Sequence, residues 1–401
     1  MKALFISRHS LHPPTCGAAQ RSDIICRSLA TFAEVDLVVI SDKVKDPEAV
    51  VTNCRLADYI HIYPENIHPY PLLHKICPLL AKFRLACSPR YGFHPSPEIV
   101  SRIHKVINQG RYDLIVVRYL VTFSQCNLAG CGKVIVDIDD LPLQIFQTMI
   151  VDKGKWLKKM FLQFKQRGIA RHTHILAAQC QHVWLPNLGQ VKDFPNASWL
   201  PNIPYPFFPR TDTGERNASE RRKRVLFVGL MNYLPNQEAM AFYVGKVWSK
   251  VQAVIPDAEL QIVGGGLPAE LKSEWERLSG VHVVGYMENL AAEYQNCAMA
   301  VAPIFSGGGT SIKVLEAMSY GIACVISPFV GKGLSDVVRN GETALIGSTP
   351  DEFARHTIAL LRDEALCFRI GEAGSKVIRK FYSFETICNE VKRTIQAIMH
   401  N

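Results

Sequence analysis

The chain has 401 residues, 48% of them hydrophobic and 20% charged, and a formal net charge of +9. That balance excludes a disordered, collagen-like or coiled-coil chain, and the length predicts more than one domain on a prior of ~150 residues each. No apolar run approaches the ~18 residues of a spanning helix, and the run after Met1-Lys2 is too short for a signal-peptide core, so a cytoplasmic protein is expected.

In chain order, Ala3–Ser7, Val35–Ile40, Tyr59–Ile62, Leu114–Val117 and Val134–Ile138 read as buried strands, with helices over Ala18–Phe32 and Pro97–Asn108. The stretch Lys153–Arg167 places Trp156, Leu157, Met160, Phe161 and Phe164 at helical spacing among lysines. It is either a surface helix with its stripe on the core or a helix that docks on anionic lipid. Four prolines within Pro201–Pro209, then the charged run Thr211–Arg224, have linker composition. Beyond it Val225–Val228, Leu260–Val263, Val281–Val283, Met299–Ala302 and Ala323–Ile326 read as strands, with helices near 236–254, 311–320 and 350–363. Strand–helix alternation predicts an α/β protein of two Rossmann-like, doubly wound parallel-sheet domains facing a central cleft. The expected bounds are 1–205 and 225–380, joined by a linker at 206–224, with a final helix in 381–401.

The twelve cysteines are scattered, with no Cys-x-x-Cys and no Cys/His group at zinc spacing, and read as reduced and mostly buried. Charge is uneven. Residues 1–210 hold 25 Lys and Arg against 15 Asp and Glu, with ten of the thirteen histidines; residues 211–401 hold 20 against 21. The first half therefore suits an anionic partner, such as a membrane surface or a phosphorylated substrate. No nucleic-acid-binding signature accompanies the charge.

The most informative segment is Ser306-Gly-Gly-Gly-Thr-Ser-Ile-Lys-Val-Leu-Glu-Ala-Met318, between a strand and a helix. Glycines before a helix let backbone N–H groups approach an anion, and the helix dipole adds positive potential. Thr310 and Ser311 either cap the helix or donate to that anion. Lys313 is a cation in the first turn, where the dipole alone disfavours it and a diphosphate would resolve the conflict. Glu316 can face the same way and accept ribose hydroxyls. The alternative is an ordinary capped turn; the P-loop spacing is absent.

Gly307–Gly321 closely resembles the donor-site motif of group 1 nucleotide-sugar glycosyltransferases of the GT-B fold. So do Val225–Asn236, Ile255–Gly266 and Val283–Tyr286, in family order. The resemblance is weaker over residues 1–210, resting on the Pro13-Pro14-x-x-Gly17-Ala18 loop and the acid-terminated strand Val134–Ile138. It implies a retaining, metal-independent transfer from a nucleotide diphosphate sugar, with no other cofactor, the donor on the C-terminal domain and the acceptor on the N-terminal one. It assigns Glu316 to the ribose, Gly308, Gly309, Thr310, Ser311 and Lys313 to the sugar and diphosphate, and Gly285 and Tyr286 to the base. Gly17, Gly229 and Asn232 complete the donor set, and the helix around Thr386–Met399 is implied to cross back to the first domain.

Three departures stand out. A second family glutamate, which holds sugar hydroxyls, is Gly308 here, and the family's diphosphate-neutralising Arg and Lys are Leu230 and Pro235. Lys313 then becomes the main cation, with Arg8 a further candidate. The catalytic centre is the third: family members often carry His or Asp where Asp139 stands, and a carboxylate there would either stabilise an oxocarbenium-like transition state or merely cap the next segment. Asp137 is expected on the other face. His9 and His12 follow the first strand. No nucleophile elbow supports hydrolysis and no Gly-x-Gly-x-x-Gly supports a dehydrogenase.

These readings predict a retaining glycosyltransferase acting on a glycan or lipid-linked acceptor in cell-surface polysaccharide synthesis, in peripheral contact with an anionic membrane. The alternatives are a nucleotide-sugar epimerase or hydrolase on the same fold, or a degenerate partner-binding protein.

Overall fold

The computed structural model describes residues 1–12, 16–41, 54–61, 95–139, 141, 156–204, 223–287, 289–307 and 310–400; for His61 and 156–165 it describes the backbone alone. The chain divides into two compact units, Met1–Pro201 with Phe384–Asn401, and Asn202–Ser383.

In the first unit the strands are β1 (Lys2–Ser7), β2 (Glu34–Ser41), β3 (Arg55–His61), β4 (Leu114–Arg118), β5 (Val134–Asp137), β6 (His182–Leu185) and β7 (Ala197–Trp199). They form one sheet in the order β3-β2-β1-β4-β5-β6-β7. Every pairing is parallel, as in Lys2↔Glu34 to Ser7↔Val39 between β1 and β2. Helices cover the faces, so Ala3 to Ile6 and Val116 to Val117 are fully buried, which explains their unbroken apolar runs. The closing helix, Phe384–His400, belongs to this unit. Lys133 Nζ donates to Ile398 O at 2.6 Å near the helix end, and Trp184 Nε1 donates to Thr394 Oγ1 at 3.4 Å.

The second unit repeats the plan with β8 (Arg224–Val228), β9 (Glu259–Val263), β10 (Val281–Gly285), β11 (Met299–Ala302), β12 (Ala323–Ile326) and β13 (Leu345–Ile346). Their order is β10-β9-β8-β11-β12-β13, again all parallel. Phe227, Tyr243, Trp248, Ile262, Val325 and Phe353 lie in its core. The helix Leu234–Tyr243 runs through a single π-helical turn, Val244–Trp248, into Ser249–Val254, within the helix expected at 236–254. A capping box of Thr349 and Glu352 starts Pro350–Arg362. In both sheets chain order reverses at one place, between β1 and β4 and between β8 and β11, which makes the carboxyl edge there a ready-made crevice.

The fold is therefore two doubly wound α/β units. β6, β7 and β13 lie outside the expected strands, since four, three and two residues are too short for a periodicity. β3 starts at Arg55, ahead of the expected Tyr59, and β5 stops at Asp137. The expected linker falls outside the described residues except for Lys223 and Arg224, and Arg224 already opens β8. A helix does span Trp156–Ala178, but the side chains of the apolar stripe from Trp156 to Phe164 lie outside the described residues. Ten cysteines among the described residues are free. No helix among those residues is long and apolar enough to cross a membrane.

Candidate functional site

At the carboxyl edge of the second sheet, three strand ends are laced together by backbone. Gly229 N donates to Val263 O at 2.9 Å, Met231 N to Gly265 O at 2.8 Å, and Gly264 N to Gly285 O at 2.7 Å. Side chains would not fit here. A Cβ on Gly264, whose φ is +148°, would lie 1.8 Å from Gly229 O, and one on Gly266 would lie 2.8 Å from Asn232 Cβ. Gly285 has φ +85° and open space before it. Tyr286 follows it, 61% exposed, its Cβ 3.3 Å from where a Cβ on Gly265 would sit. The result is a shelf of backbone rimmed by Asn232 and Tyr286, which brings Gly229, Asn232, Gly285 and Tyr286 together.

Lys313 reaches this shelf from the first turn of Ile312–Ser319. Its Nζ donates to Asn236 Oδ1 at 2.6 Å and lies 4.5 Å from the Phe227 ring centroid. Asn236 in turn donates to Leu230 O at 2.8 Å. Gly229 makes the arrangement possible, because a Cβ there would sit 2.7 Å from Lys313 Nζ and 2.8 Å from Asn236 Nδ2. Among the described residues Lys313 has no ion-pair partner, and burial pushes its pKa down to about 7. The charge it feels is that of Glu316, three residues on in the same helix and itself pushed up by burial, so a bound anion would add counter-charge to the site. The positions of the missing family cations offer none: Leu230 is 41% exposed, and Pro235 is buried in the first turn of Leu234–Tyr243.

Ser311 occupies the N-cap of the Lys313 helix without a side-chain cap bond. Thr310 Oγ1 is buried with no hydrogen-bond partner among the described residues. The capping role open to both hydroxyls is thus not taken up, and a buried hydroxyl is left for another acceptor. Gly308 and Gly309 lie outside the described residues, while Gly307 has φ +131° and faces Tyr233 Oη. Glu316 is 8% exposed and accepts a hydrogen bond from Tyr294 Oη at 3.1 Å. Burial pushes its carboxyl up to about 7, against the opposing pull of the Tyr294 hydroxyl and Lys313.

In the first unit Asp137 and Asp139 meet two arginines. Arg21 donates to Asp137 through Nε at 2.9 Å and Nη2 at 2.6 Å, and to the carbonyls of Leu200 and Pro201. Arg118 pairs with Asp137 and donates to Asp139 Oδ2 at 3.0 Å. Asp137 and Arg118 are fully buried, whereas Asp139 keeps 13% of its side-chain surface. The expectation that Asp137 faces away from Asp139 is corrected: residues two apart on extended chain share a side, and both meet the same arginines. Asp140 lies outside the described residues. Gly17 opens the helix Gly17–Ala30; its preceding Pro13-Pro14-Thr15 lies outside them too. Arg8 Nε donates to Thr122 Oγ1 at 3.1 Å, the His9 ring meets Tyr119 edge-on at 6.1 Å, and His12 is exposed.

Sequence reasoning missed Asn236, Tyr294, Arg21 and Arg118 as partners. Asn236 was within reach, since it ends the motif Val225–Asn236 in the same segment as Gly229. The others carry no local signal.

Residues 222–363 match the family model described as glycosyl transferases group 1. A phosphatidyl-myo-inositol mannosyltransferase of Mycolicibacterium smegmatis is 24% identical over 264 residues, 64% of this chain and 62% of that protein. An uncharacterized 44.6 kDa protein from the cps region of Klebsiella pneumoniae is 20% identical over 271 residues, 64% of this chain and 68% of that one. Sucrose-phosphate synthase from Thermosynechococcus elongatus superposes over 100% of both chains with a TM-score of 0.72 at 16% identity. HepE of Anabaena, in complex with UDP and glucose, covers 99% of both chains with a TM-score of 0.64 at 13% identity. Residues 222–363 are a group 1 glycosyltransferase domain, in a chain whose fold is that of the GT-B glycosyltransferases.

Proposed function

We propose that the chain is a retaining glycosyltransferase that takes a sugar from a nucleoside diphosphate sugar at the glycine shelf of the second unit. The observation that carries this is Lys313: an amine in no direct ion pair among the described residues, fastened by Asn236 at a helix start beside backbone too close-packed for side chains. Cleavage of the donor leaves charge on the diphosphate, and a preorganised cation with helix N–H groups stabilises that charge where it develops. The orphan Thr310 hydroxyl adds a donor, Glu316 accepts from the ribose and Tyr286 offers a ring to the base. For Asp139, in the first unit, a catalytic role rests on the family resemblance alone.

The relatives support the choice of substrates. HepE is seen with UDP and glucose, so UDP-sugars come first among donors, and the mannosyltransferase acts on a phosphatidyl-myo-inositol, which favours a lipid-linked acceptor. A basic first half suits such an acceptor on an anionic membrane surface, and loss of vesicle binding on replacing the lysines of Lys153–Arg167 tests that part.

Thermal unfolding against a panel of nucleoside diphosphates, on the native chain, Lys313→Ala and Glu316→Ala, tests the site. A ligand at a hundred times its Kd stabilises by ~2.7 kcal/mol. One diphosphate should shift the native melting point and neither variant. A chain that no nucleotide stabilises overturns the proposal. Binding without sugar transfer favours the degenerate partner-binding reading, for which Leu230 and Pro235 are the motivating positions.

A further inference from the structure

Tyr294 stands in the helix Ala291–Asn296, ahead of β11, and is 1% exposed. Its ring stacks on that of Tyr320, at the end of the Glu316 helix, with centroids 4.9 Å apart and planes 14° apart. Phenylalanine would fill the same space without burying a hydroxyl, so packing alone gives no reason for the Oη. That Oη is spent on Glu316 Oε2 at 3.1 Å, and no hydrogen bond among the described residues engages Oε1. A glutamate has three rotatable bonds. One hydrogen bond from a ring that is itself stacked removes most of that freedom before any ligand arrives.

We propose that Tyr294 is a positioning residue of the nucleotide site: it clamps one oxygen of Glu316, so that the carboxylate meets the ribose diol charged and in a single orientation. This rests on the donor-site reading above. The groups facing the carboxylate are Lys313, one turn earlier on its helix, and Tyr294 itself; Cys297 and Cys324 lie against Tyr294, and Asn236, which holds the Lys313 amine, is uncharged. The hydroxyl donates to the charged form, so it opposes the rise that burial causes. Removing it raises the carboxyl further. The charged form exists above the carboxyl's pKa and is lost as pH falls through it, so the variant must lose ribose recognition at a higher pH than the native chain.

The test is calorimetric titration with UDP and with 2′-deoxy-UDP from pH 6 to 9, on the native chain, Tyr294→Phe and Glu316→Gln. The phosphate's own titration is common to all three. The native chain should prefer UDP by about tenfold, the equivalent of one charge-assisted hydrogen bond. Tyr294→Phe should lose most of that preference and move the half-loss of UDP affinity to higher pH. Replacing Tyr294 by 3-fluorotyrosine, a stronger donor of nearly the same shape, should move it to lower pH, which also covers the case of a Phe variant that does not fold. A folded Tyr294→Phe with the native preference and pH profile, or a uniform loss for both nucleotides at every pH, overturns the proposal. A native chain that binds neither nucleotide overturns the donor-site reading first, and is told apart by that.

Discussion

Two alanine substitutions at neighbouring glycines should fail for opposite reasons. Gly229 is not in the left-handed region, so alanine suits its backbone, but the new Cβ would stand 2.7 Å from Lys313 Nζ and 2.8 Å from Asn236 Nδ2. Both atoms end flexible side chains and can retreat, at the expense of the 2.6 Å bond that Lys313 Nζ donates to Asn236 Oδ1. A hydrogen bond to a charged group contributes ~1.5–3 kcal/mol, so nucleotide affinity should fall by roughly ten- to a hundredfold. Stability should fall by roughly 0.5–2.5 kcal/mol, because alanine lowers the entropy of the unfolded chain by only about 0.4–1 kcal/mol and so offsets part of the lost bond. At Gly264 the obstacle is the Gly229 carbonyl at 1.8 Å, which is backbone and cannot retreat, and φ is +148°. Gly264→Ala should lose about 3 kcal/mol of stability or more. Urea unfolding and UDP titration on both variants measure the two effects. A Gly229→Ala chain that binds like the native one, or a Gly264→Ala chain of native stability, refutes the reasoning.

Asp137→Asn strands two buried arginines with a single remaining carboxylate, and should cost ~3–5 kcal/mol by urea unfolding. Asp139→Asn, at a more exposed corner of the same network, should cost less. Thr310→Val removes a buried hydroxyl that has no hydrogen-bond partner among the described residues; it should leave stability unchanged or raise it by about 1 kcal/mol while weakening nucleotide binding. Burial pushes the His182 imidazole down to about 4, so the folded state holds it neutral. Its stabilising effect is complete above the unfolded value of ~6.5 and is lost as pH falls from there towards 4; His182→Asn should flatten that part of the urea-midpoint profile.

The sequence by itself determined the strand–helix alternation, because both faces of each sheet are covered and the inner strands must be apolar throughout. It also marked the glycine loop with Lys313 and Glu316, since a helix start that holds an anion needs small residues and a cation within a few positions. What those side chains touch was decided only by the tertiary structure. Lys313 meets Asn236 because β8 and β11 lie side by side, although 77 residues separate the pair. Arg21 meets Asp137 across 116 residues because the helix after β1 packs where β5 ends. Periodicity reports which face of an element is apolar, over a window of a few turns. It carries nothing about which polar group from another element arrives at that face, so the partners of Asp137, Lys313 and Glu316 emerge only once the strands are in order.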